Sequence, residues 1–167
     1  MRIERLADRH DLATFECGTK ALDDWLGNHA RENAVRNLSR TFVLVDDGDL
    51  VLGYYTLSMG GVLRESLPHK LGRGLPVFEI GMVLLARLAI TREYQGQGYG
   101  RDLLVAAVEE AAAAGEHAAA RFIAVDPIDE NARRFYAKFG FLDIRGDAGE
   151  RMFMRIDRAI ATFTKER

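Results

Sequence analysis

The stretch 95–100 reads Gln95-Gly96-Gln97-Gly98-Tyr99-Gly100, and it decides the fold of this 167-residue chain. It lies between an apolar run, 82–90, and a helical pattern that opens near Arg101. Three glycines in five positions let the backbone turn tightly and aim N–H groups at one point, where a helix N-terminus adds partial positive charge. The stretch therefore predicts a site for phosphate oxygens, although glycine-rich turns also serve as plain connections.

Outward from this stretch, the hydrophobic periodicity predicts a mixed α/β (α+β) sheet in one domain over residues 1–167. Because a strand, a helix and another strand follow one another around the glycines, the sheet should be parallel there and antiparallel earlier. The expected elements are a strand at 2–6, a helix on the stripe 22–33 capped by Thr19, a hairpin of 41–45 and 50–59, a long loop at 60–78, a strand at 81–90, a helix ending at Gly115, a strand at 120–125, a helix from Asp129 to Gly140, strands at 141 and 151–156, and a helical turn or frayed tail beyond Asp157.

The composition excludes several classes of protein. With 48% hydrophobic residues the chain can bury a full core, while a formal charge of −2 gives no bulk attraction to nucleic acid, so RNA binding would need a local basic face. The single cysteine, Cys17, excludes an internal disulfide, and the four histidines show no metal-ligand spacing. Without a signal peptide or an apolar membrane span, we expect a soluble, cytoplasmic, metal-free protein.

Three familiar glycine motifs fit the stretch poorly. A dinucleotide fingerprint requires a glycine where Arg101 stands, and a large side chain there would keep the helix from the strand. No Gly-Lys-Ser or Gly-Lys-Thr occurs, which excludes a P-loop, and the serine nucleophile elbow is absent. The residues therefore favour a phosphate ligand of another kind, with a dinucleotide as the alternative left open.

A second motif accompanies the first. The pattern Gln-x-x-Gly-x-Gly follows a central strand, and the run from Asn131 to Phe141, NARRFYAKFGF, comes about thirty residues later. Together they resemble the GNAT (GCN5-related) N-acetyltransferases. The resemblance implies a twisted sheet with helices on both faces, central strands splayed to admit acetyl-CoA, and no metal. The cofactor-binding residues that it implies are Leu88, Ala89, Ile90, Gln95, Gly96, Gln97, Gly98, Tyr99, Gly100, Arg101, Asn131 and Phe135.

The N-terminal half is similar to a narrower group, the GNAT toxins of bacterial toxin–antitoxin pairs. The segments that carry this likeness are FECG at 15–18, LDDWL at 22–26, SRTFV at 39–43, GYYTLS at 53–58 and RLA at 87–89. The resemblance implies acetylation of the α-amine of aminoacyl-tRNA, which stops translation, and a ribbon-helix-helix antitoxin as partner. A homodimer is a further candidate assembly. The chain departs from the group in charge, because those toxins are commonly basic.

The same resemblance implies that Tyr136 hydrogen-bonds and protonates the departing sulfur, while the Leu88 N–H polarises the thioester carbonyl. A phenol with a pKa of about 10 stays protonated at neutral pH, as this role requires. The spacing of Tyr136 with Phe135 and Phe139 is equally typical of a core residue. No general base stands out, which favours an α-amine acceptor, because its pKa of about 8 leaves a neutral fraction at pH 7.

Recognition of tRNA would require basic side chains near the acetyl group. Arg31, Arg36 and Arg40 are the candidates, with Arg64, His69, Lys70 and Arg73 on the long loop, although such residues are often merely solvated. Cys17 is expected to be a structural thiol. Two rival functions stay open: a GNAT enzyme for small amines or protein N-termini, which the acidic composition favours, and a non-enzymatic acetyl-CoA-binding or partner-binding module.

Overall fold

The computed structural model describes residues 1–143 and 150–163. Its strands are β1 (Arg2–Arg5), β2 (Arg40–Val45), β3 (Val51–Val62), β4 (Ile80–Ile90), β5 (Phe122–Val125) and β6 (Met152–Arg155). Its helices are α1 (Lys20–Asn28), α2 (Ala30–Val35), α3 (His69–Gly72), α4 (Tyr99–Ala118), α5 (Glu130–Lys138) and α6 (Ile156–Phe163), with 3-10 turns at Arg64–Ser66 and Arg92–Tyr94. No described helix is long and apolar enough to cross a membrane.

The six strands are hydrogen-bonded in the order β1-β2-β3-β4-β5-β6. β1 with β2, β2 with β3, and β5 with β6 are antiparallel, whereas β4 and β5 are parallel. The predicted mixed sheet is therefore confirmed, with its parallel pair on either side of the glycine stretch in the sequence. The pairing of β4 with β5 ends at Leu85↔Val125, and β4 continues beyond this pair, without β5, as far as Ile90.

The residues group into two compact units. The first contains Met1–Ser58 and Ala86–Ala107, and the second contains Met59–Leu85 with the described residues from Val108 onward. β3, β4 and α4 each contribute to both units.

The first unit has helices on both faces of its sheet. On one face Tyr54 of β3 packs with Trp25 of α1 in a buried cluster; its members are Trp25, Leu26, Ala30, Val43, Val45, Val51, Tyr54 and Ala89. On the other face α4 approaches at Gly53, where an added Cβ would lie 2.9 Å from Leu103 Cδ1 and 2.6 Å from Ile90 Cδ1. Because neighbouring strand residues point to opposite faces, Gly53 marks the α4 face and Tyr54 the α1 face.

The second unit has its own core, in which Phe122 of β5 and Phe153 of β6 meet edge to face at 5.8 Å. The cluster consists of Val62, Leu67, Leu71, Ile80, Met82, Phe122, Ala124 and Phe153. Gly115 lies inside α4 rather than at its end, at a place where a side chain would collide with Ile156. The glycine there leaves room for the end of the Ile156 side chain.

Two predicted boundaries are wrong for reasons of backbone conformation. The stripe 22–33 is divided into α1 and α2 at His29, whose φ of −126° and ψ of −26° leave the helical region. Apolar spacing continues across such a break because both helices present the same face to the core. Thr19 does stand at the N-cap, but its side chain makes no capping hydrogen bond. α4 ends at Ala118 instead of Gly115, and the left-handed residue that ends it is Ala119, with φ 57°.

Two other segments are more regular than expected. The predicted loop 60–78 begins with the end of β3 and then contains the Arg64–Ser66 turn and α3. These pieces are short, and so they leave no sustained period in the sequence. Residues beyond Asp157 belong to α6 as far as Phe163, which buries Ala159 and Phe163; the last four positions of the predicted tail lie outside the described residues.

Candidate active site

The glycine stretch forms an open turn with unpaired backbone donors. Gly96 and Gly98 have φ values of 73° and 93°, a region that glycine adopts without strain, and a Cβ built on either would meet no atom within 4 Å. In the described part of the chain, the N–H groups of 96–100 donate to no other group. Because α4 begins at Tyr99, these five donors stand at a helix N-terminus, which is the arrangement that binds phosphate oxygens.

The two glutamines of the stretch hold the turn in place. Gln95 Nε2 donates to the carbonyl oxygens of Ile90 and Cys17, both at 2.8 Å, and so joins the end of β4 to the N-terminal segment. Gln97 Nε2 donates to the Glu93 carbonyl at 2.7 Å. These amides are occupied within the protein, so the groups left for a ligand are the backbone N–H groups.

The last residues of β4 lie in the same unit as the glycine stretch. Leu88 is half-buried, whereas Ala89 and Ile90 are buried. Ala89 packs on the α1 face and Ile90 on the α4 face, as the contact with Gly53 shows. None of these three residues is paired with β5, and the Ile90 carbonyl accepts the hydrogen bond from Gln95.

Asn131, Phe135 and Tyr136 lie on α5 in the second unit. The predicted cap is confirmed, because the Asp129 carboxylate accepts a 2.7 Å hydrogen bond from Ala132 N. Asn131 is exposed, and its side-chain oxygen accepts a hydrogen bond from Arg134. The predicted cofactor-binding and catalytic residues therefore fall into two groups, 88–101 and 131–136, and each group lies within its own unit.

Tyr136 is buried in an aromatic cluster on α5. Its ring meets those of Phe135 and Phe141 edge to face at 5.4 and 5.6 Å. Its hydroxyl forms no hydrogen bond with another described residue, and burial raises the pKa of the phenol. The side chain thus combines the packing of a core residue with an O–H group that stays protonated at neutral pH.

The predicted tRNA-contacting arginines have structural partners. Arg31 Nη2 donates to the His10 carbonyl at 2.8 Å, and Arg40 Nη1 donates to the Ala34 carbonyl at 3.1 Å. Arg36 forms a surface ion pair with Glu32 at 3.4 Å. Two of the three therefore stabilise the segments around α2, and contact with tRNA stays a prediction for all of them.

Cys17 behaves as a structural thiol. It is half-buried, its Sγ lies 3.6 Å from the Thr19 carbonyl oxygen, and burial raises the pKa of the thiol to about 11. A thiol with this pKa is almost entirely protonated at neutral pH and is a weak nucleophile.

Three metal-ligand types do come together, at Glu4, His10 and Asp49. Both nitrogens of the buried histidine are used, since Nδ1 accepts from Ala7 N at 2.9 Å and Nε2 lies 2.8 Å from Glu4 Oε1. Arg2 forms ion pairs with both carboxylates. A cluster whose oxygens already face arginine is an ion-pair network and does not fit a cation.

Arg87 belongs to the RLA segment at 87–89 that carries the resemblance, but the sequence analysis gave it no role of its own. Its guanidinium carbon lies 4.1 Å from the ring centroid of Trp25. Burial lowers the pKa of this half-buried arginine, and no described carboxylate lies within ion-pair distance. The available signal was a charge in the otherwise apolar run 82–90.

A glycine-rich turn with unpaired N–H groups between β4 and α4, followed after β5 by a capped helix with a buried tyrosine, is the arrangement of an acetyltransferase fold. The model of the acetyltransferase (GNAT) family matches residues 5–141. The chain therefore belongs to the GNAT family.

The similar proteins are toxins. A tRNA-acetylating toxin of Mycobacterium tuberculosis (strain ATCC 25618 / H37Rv) is 36% identical over 137 residues, which cover 82% of this chain and 81% of the relative. The structure of AtaT complexed with acetyl-methionyl-tRNAfMet has a TM-score of 0.87 and 30% identity, covering 97% of this chain and 98% of the other. A tyrosine-to-phenylalanine variant of AtaT, bound to the C-terminus of the antitoxin AtaR and to acetyl-CoA, has a TM-score of 0.83 and 29% identity, with 98% of each chain covered.

Proposed function

We propose that this chain is an acetyl-CoA-dependent N-acetyltransferase toxin that acetylates the α-amine of aminoacyl-tRNA and thereby blocks translation. The observation that carries the enzymatic part is the row of five unpaired N–H groups at 96–100. The acceptor is supported by the 36% identity to a tRNA-acetylating toxin and by the likeness to AtaT with its acetylated tRNA.

Acetyl-CoA is the donor in this proposal. The backbone N–H groups of 96–100 and the positive end of α4 hold its pyrophosphate, because fixed donors at a helix N-terminus stabilise negative charge. Arg101 belongs to the same first turn. The backbone of Leu88, Ala89 and Ile90 meets the acetyl and pantetheine portions, and Asn131 and Phe135 contribute from α5.

In the reaction, the neutral α-amine attacks the thioester carbon and the C–S bond breaks. The Leu88 N–H donates to the carbonyl oxygen, on which negative charge develops. Tyr136 donates its phenolic proton to the departing sulfur, and the phenolate regains a proton that the new amide nitrogen releases to solvent. The raised pKa of Tyr136 ensures that this proton is present before the reaction.

No general base is required by this acceptor. Esterification withdraws electrons from the α-amine and lowers its pKa below the usual value of about 8, so a sizeable neutral fraction exists at pH 7. A lysine amine, with a pKa near 10.4, would need a base or a desolvating pocket.

The partners follow from the same proposal. An antitoxin binds this chain and holds it inactive, and we propose a ribbon-helix-helix protein in that role, with a homodimer as the assembly of the enzyme. The acceptor and the ribosomes lie in the cytoplasm, and the proposed site of action is there.

A GNAT enzyme for small amines or protein N-termini is the second candidate. The formal charge of −2 favours it, together with the engagement of Arg31 and Arg40 in local structure. Labelled acetyl-CoA should be offered with charged tRNA, with polyamines and with peptides in parallel. Label in the charged tRNA supports the toxin, whereas label only in polyamines or peptides would establish the second candidate instead.

The role of Tyr136 is tested by Tyr136→Phe, with Tyr94→Phe as the matched control that also removes one hydroxyl. Loss of a proton donor should lower kcat about 10²- to 10⁴-fold. The Kd for acetyl-CoA should change less than about twofold, since a donor that acts on the departing sulfur contributes mainly in the transition state. Full activity of Tyr136→Phe would show that the side chain is only part of the core.

A further inference from the structure

We propose that Arg87, held over the ring of Trp25, binds the phosphate of the acceptor's terminal nucleotide and so selects nucleotide-linked amines over simple ones. This inference rests on the proposed function and names a specificity-determining residue for it.

Arg87 is a cation without a counter-charge in a partly desolvated position. Its pKa is lowered by burial, which means that the folded protein bears a cost for keeping it charged. Among the described residues no carboxylate compensates that cost. Arg133, which is more deeply buried, has two carboxylate partners. An anion supplied by a ligand would complete the Arg87 site in the same way.

The contact with Trp25 places the guanidinium carbon over the indole ring. The carbon lies 4.1 Å from the ring centroid, and Trp25 is in turn stacked on Tyr54, with an angle of 13° between the rings. Tyr54 is fixed because its hydroxyl donates to the Leu22 carbonyl at 2.8 Å. The contact therefore holds the guanidinium in place, and its N–H groups, which bind phosphate in a bidentate manner, have no partner among the described residues.

The face of β4 shows which substrate this edge can meet. Arg87 and Ala89 point to the α1 face, whereas Ile90 contacts the Gly53 position on the α4 face. The glycine stretch belongs to the α4 side, because it forms the N-terminus of that helix. Arg87 is therefore turned away from the pyrophosphate of acetyl-CoA and towards the face from which an acceptor can approach.

The reacting carbonyl is close along the chain. Its proposed donor, the Leu88 N–H, belongs to the next residue, and consecutive Cα atoms are about 3.8 Å apart. In aminoacyl-tRNA the carboxyl group of the amino acid is esterified to the terminal ribose and its α-amine is free, so the nearest anion is the phosphate on the 5′ side of that nucleotide. Simple polyamines have no such anion, and their additional positive charges are repelled by Arg87.

The test compares two minimal acceptors, the 3′-aminoacyl ester of adenosine and the same ester carrying a 5′-phosphate, in glycyl and methionyl forms, beside whole charged tRNA. Wild type should prefer the phosphorylated ester. Arg87→Gln should raise the KM of that ester about 10- to 100-fold, as expected for loss of a charge-assisted contact. The unphosphorylated ester, the Kd for acetyl-CoA and the melting temperature should change little, and Arg87→Lys should recover part of the preference.

Arg5→Gln is the matched control, because Arg5 also lies over an aromatic ring, that of Phe42 at 5.8 Å, but is exposed. It should leave both esters unaffected. If wild type acetylates charged tRNA yet shows no preference for the phosphorylated ester, or if Arg87→Gln impairs both esters equally, the inference is wrong and the proposed function stands. If wild type acetylates none of the three acceptors, the proposed function is wrong and the inference with it.

Discussion

The ion-pair network of Arg133 on α5 yields an asymmetric prediction about stability. The arginine side chain is only 3% exposed, whereas its partners Asp143 and Glu150 are 37% and 80% exposed. Arg133 Nη1 lies 2.6 Å from Asp143 Oδ1, and Nη2 lies 2.8 Å from Glu150 Oε2 and also donates to the Glu150 carbonyl. Water can solvate the carboxylates if the arginine is removed, but it cannot reach the arginine if the carboxylates are removed.

Removing the arginine and removing its two carboxylate partners should therefore change the free energy of unfolding by different amounts. Arg133→Met replaces the guanidinium by an apolar side chain and should change the free energy of unfolding by less than about 1.5 kcal/mol. The double substitution Asp143→Ala, Glu150→Ala leaves a buried charge with one backbone acceptor. It should cost about 3 kcal/mol, the low end for a broken buried ion pair, because the partners were themselves partly hydrated.

Urea unfolding of the three proteins, together with the triple variant, measures these values. In the triple variant Arg133→Met should recover most of the stability that the double variant loses, since no buried charge remains. The reasoning is refuted if Arg133→Met alone costs as much as the double substitution, or if the triple variant is no more stable than the double.

Three further outcomes follow from local geometry. Gly98→Ala, at φ 93°, should raise the Kd for acetyl-CoA about fivefold or more, because a left-handed alanine costs about 1–2 kcal/mol and changes the direction of the N–H groups. Gly74 has a φ of 77° and is equally open, so Gly74→Ala should carry similar strain. It should leave the Kd for acetyl-CoA, measured by calorimetric titration, unchanged. Gly53→Ala should lower the melting temperature, because the new Cβ would lie 3.1 Å from a backbone oxygen as well as close to two side chains. Gly27→Ala in α1 should raise the melting temperature, since that Cβ meets nothing within 4 Å and alanine favours the helix. The pKa of Glu4 is lowered from 4.5 to about 2, first by its hydrogen bond from a histidine. Its contribution to stability is therefore complete above the pKa of the unfolded state and is lost as the pH falls through the pKa of the folded state. Glu4→Gln should flatten the dependence of the unfolding free energy on pH between about 5 and 2, and an unchanged pH profile would contradict this.

Local signals in the sequence were sufficient for the elements around the glycine stretch. The strand 81–90, the turn and the cap at Asp129 each depend on neighbours within a few residues, and the structure confirms them. The break at His29 was missed because the apolar spacing continues through it. The end of α4 was misplaced because Gly115 lies inside the helix, where the absence of a side chain leaves room for Ile156, which is distant in sequence.

The candidate site likewise combines features that neighbouring residues determine with features that depend on residues distant in sequence. The backbone donors at 96–100 could be predicted, because glycine spacing fixes them locally. The stacking of Arg87 on Trp25 could not, since it joins residues 62 positions apart on a strand and a helix. Likewise, the hydrogen bonds of Arg31 and Arg40 to backbone carbonyls depend on how the chain folds around α2, and charge alone could not distinguish them from tRNA contacts.

Cys17 gives the protein a built-in reporter for the turn at 95–100. It is the only thiol in the chain, and its carbonyl oxygen accepts the side-chain hydrogen bond of Gln95, the first residue of that turn. With a thiol pKa of about 11, alkylation at neutral pH is slow while the segment is folded. The rate of labelling at this single atom therefore follows the opening of the segment against which the turn is held, and it does so in the natural sequence, without any engineered probe.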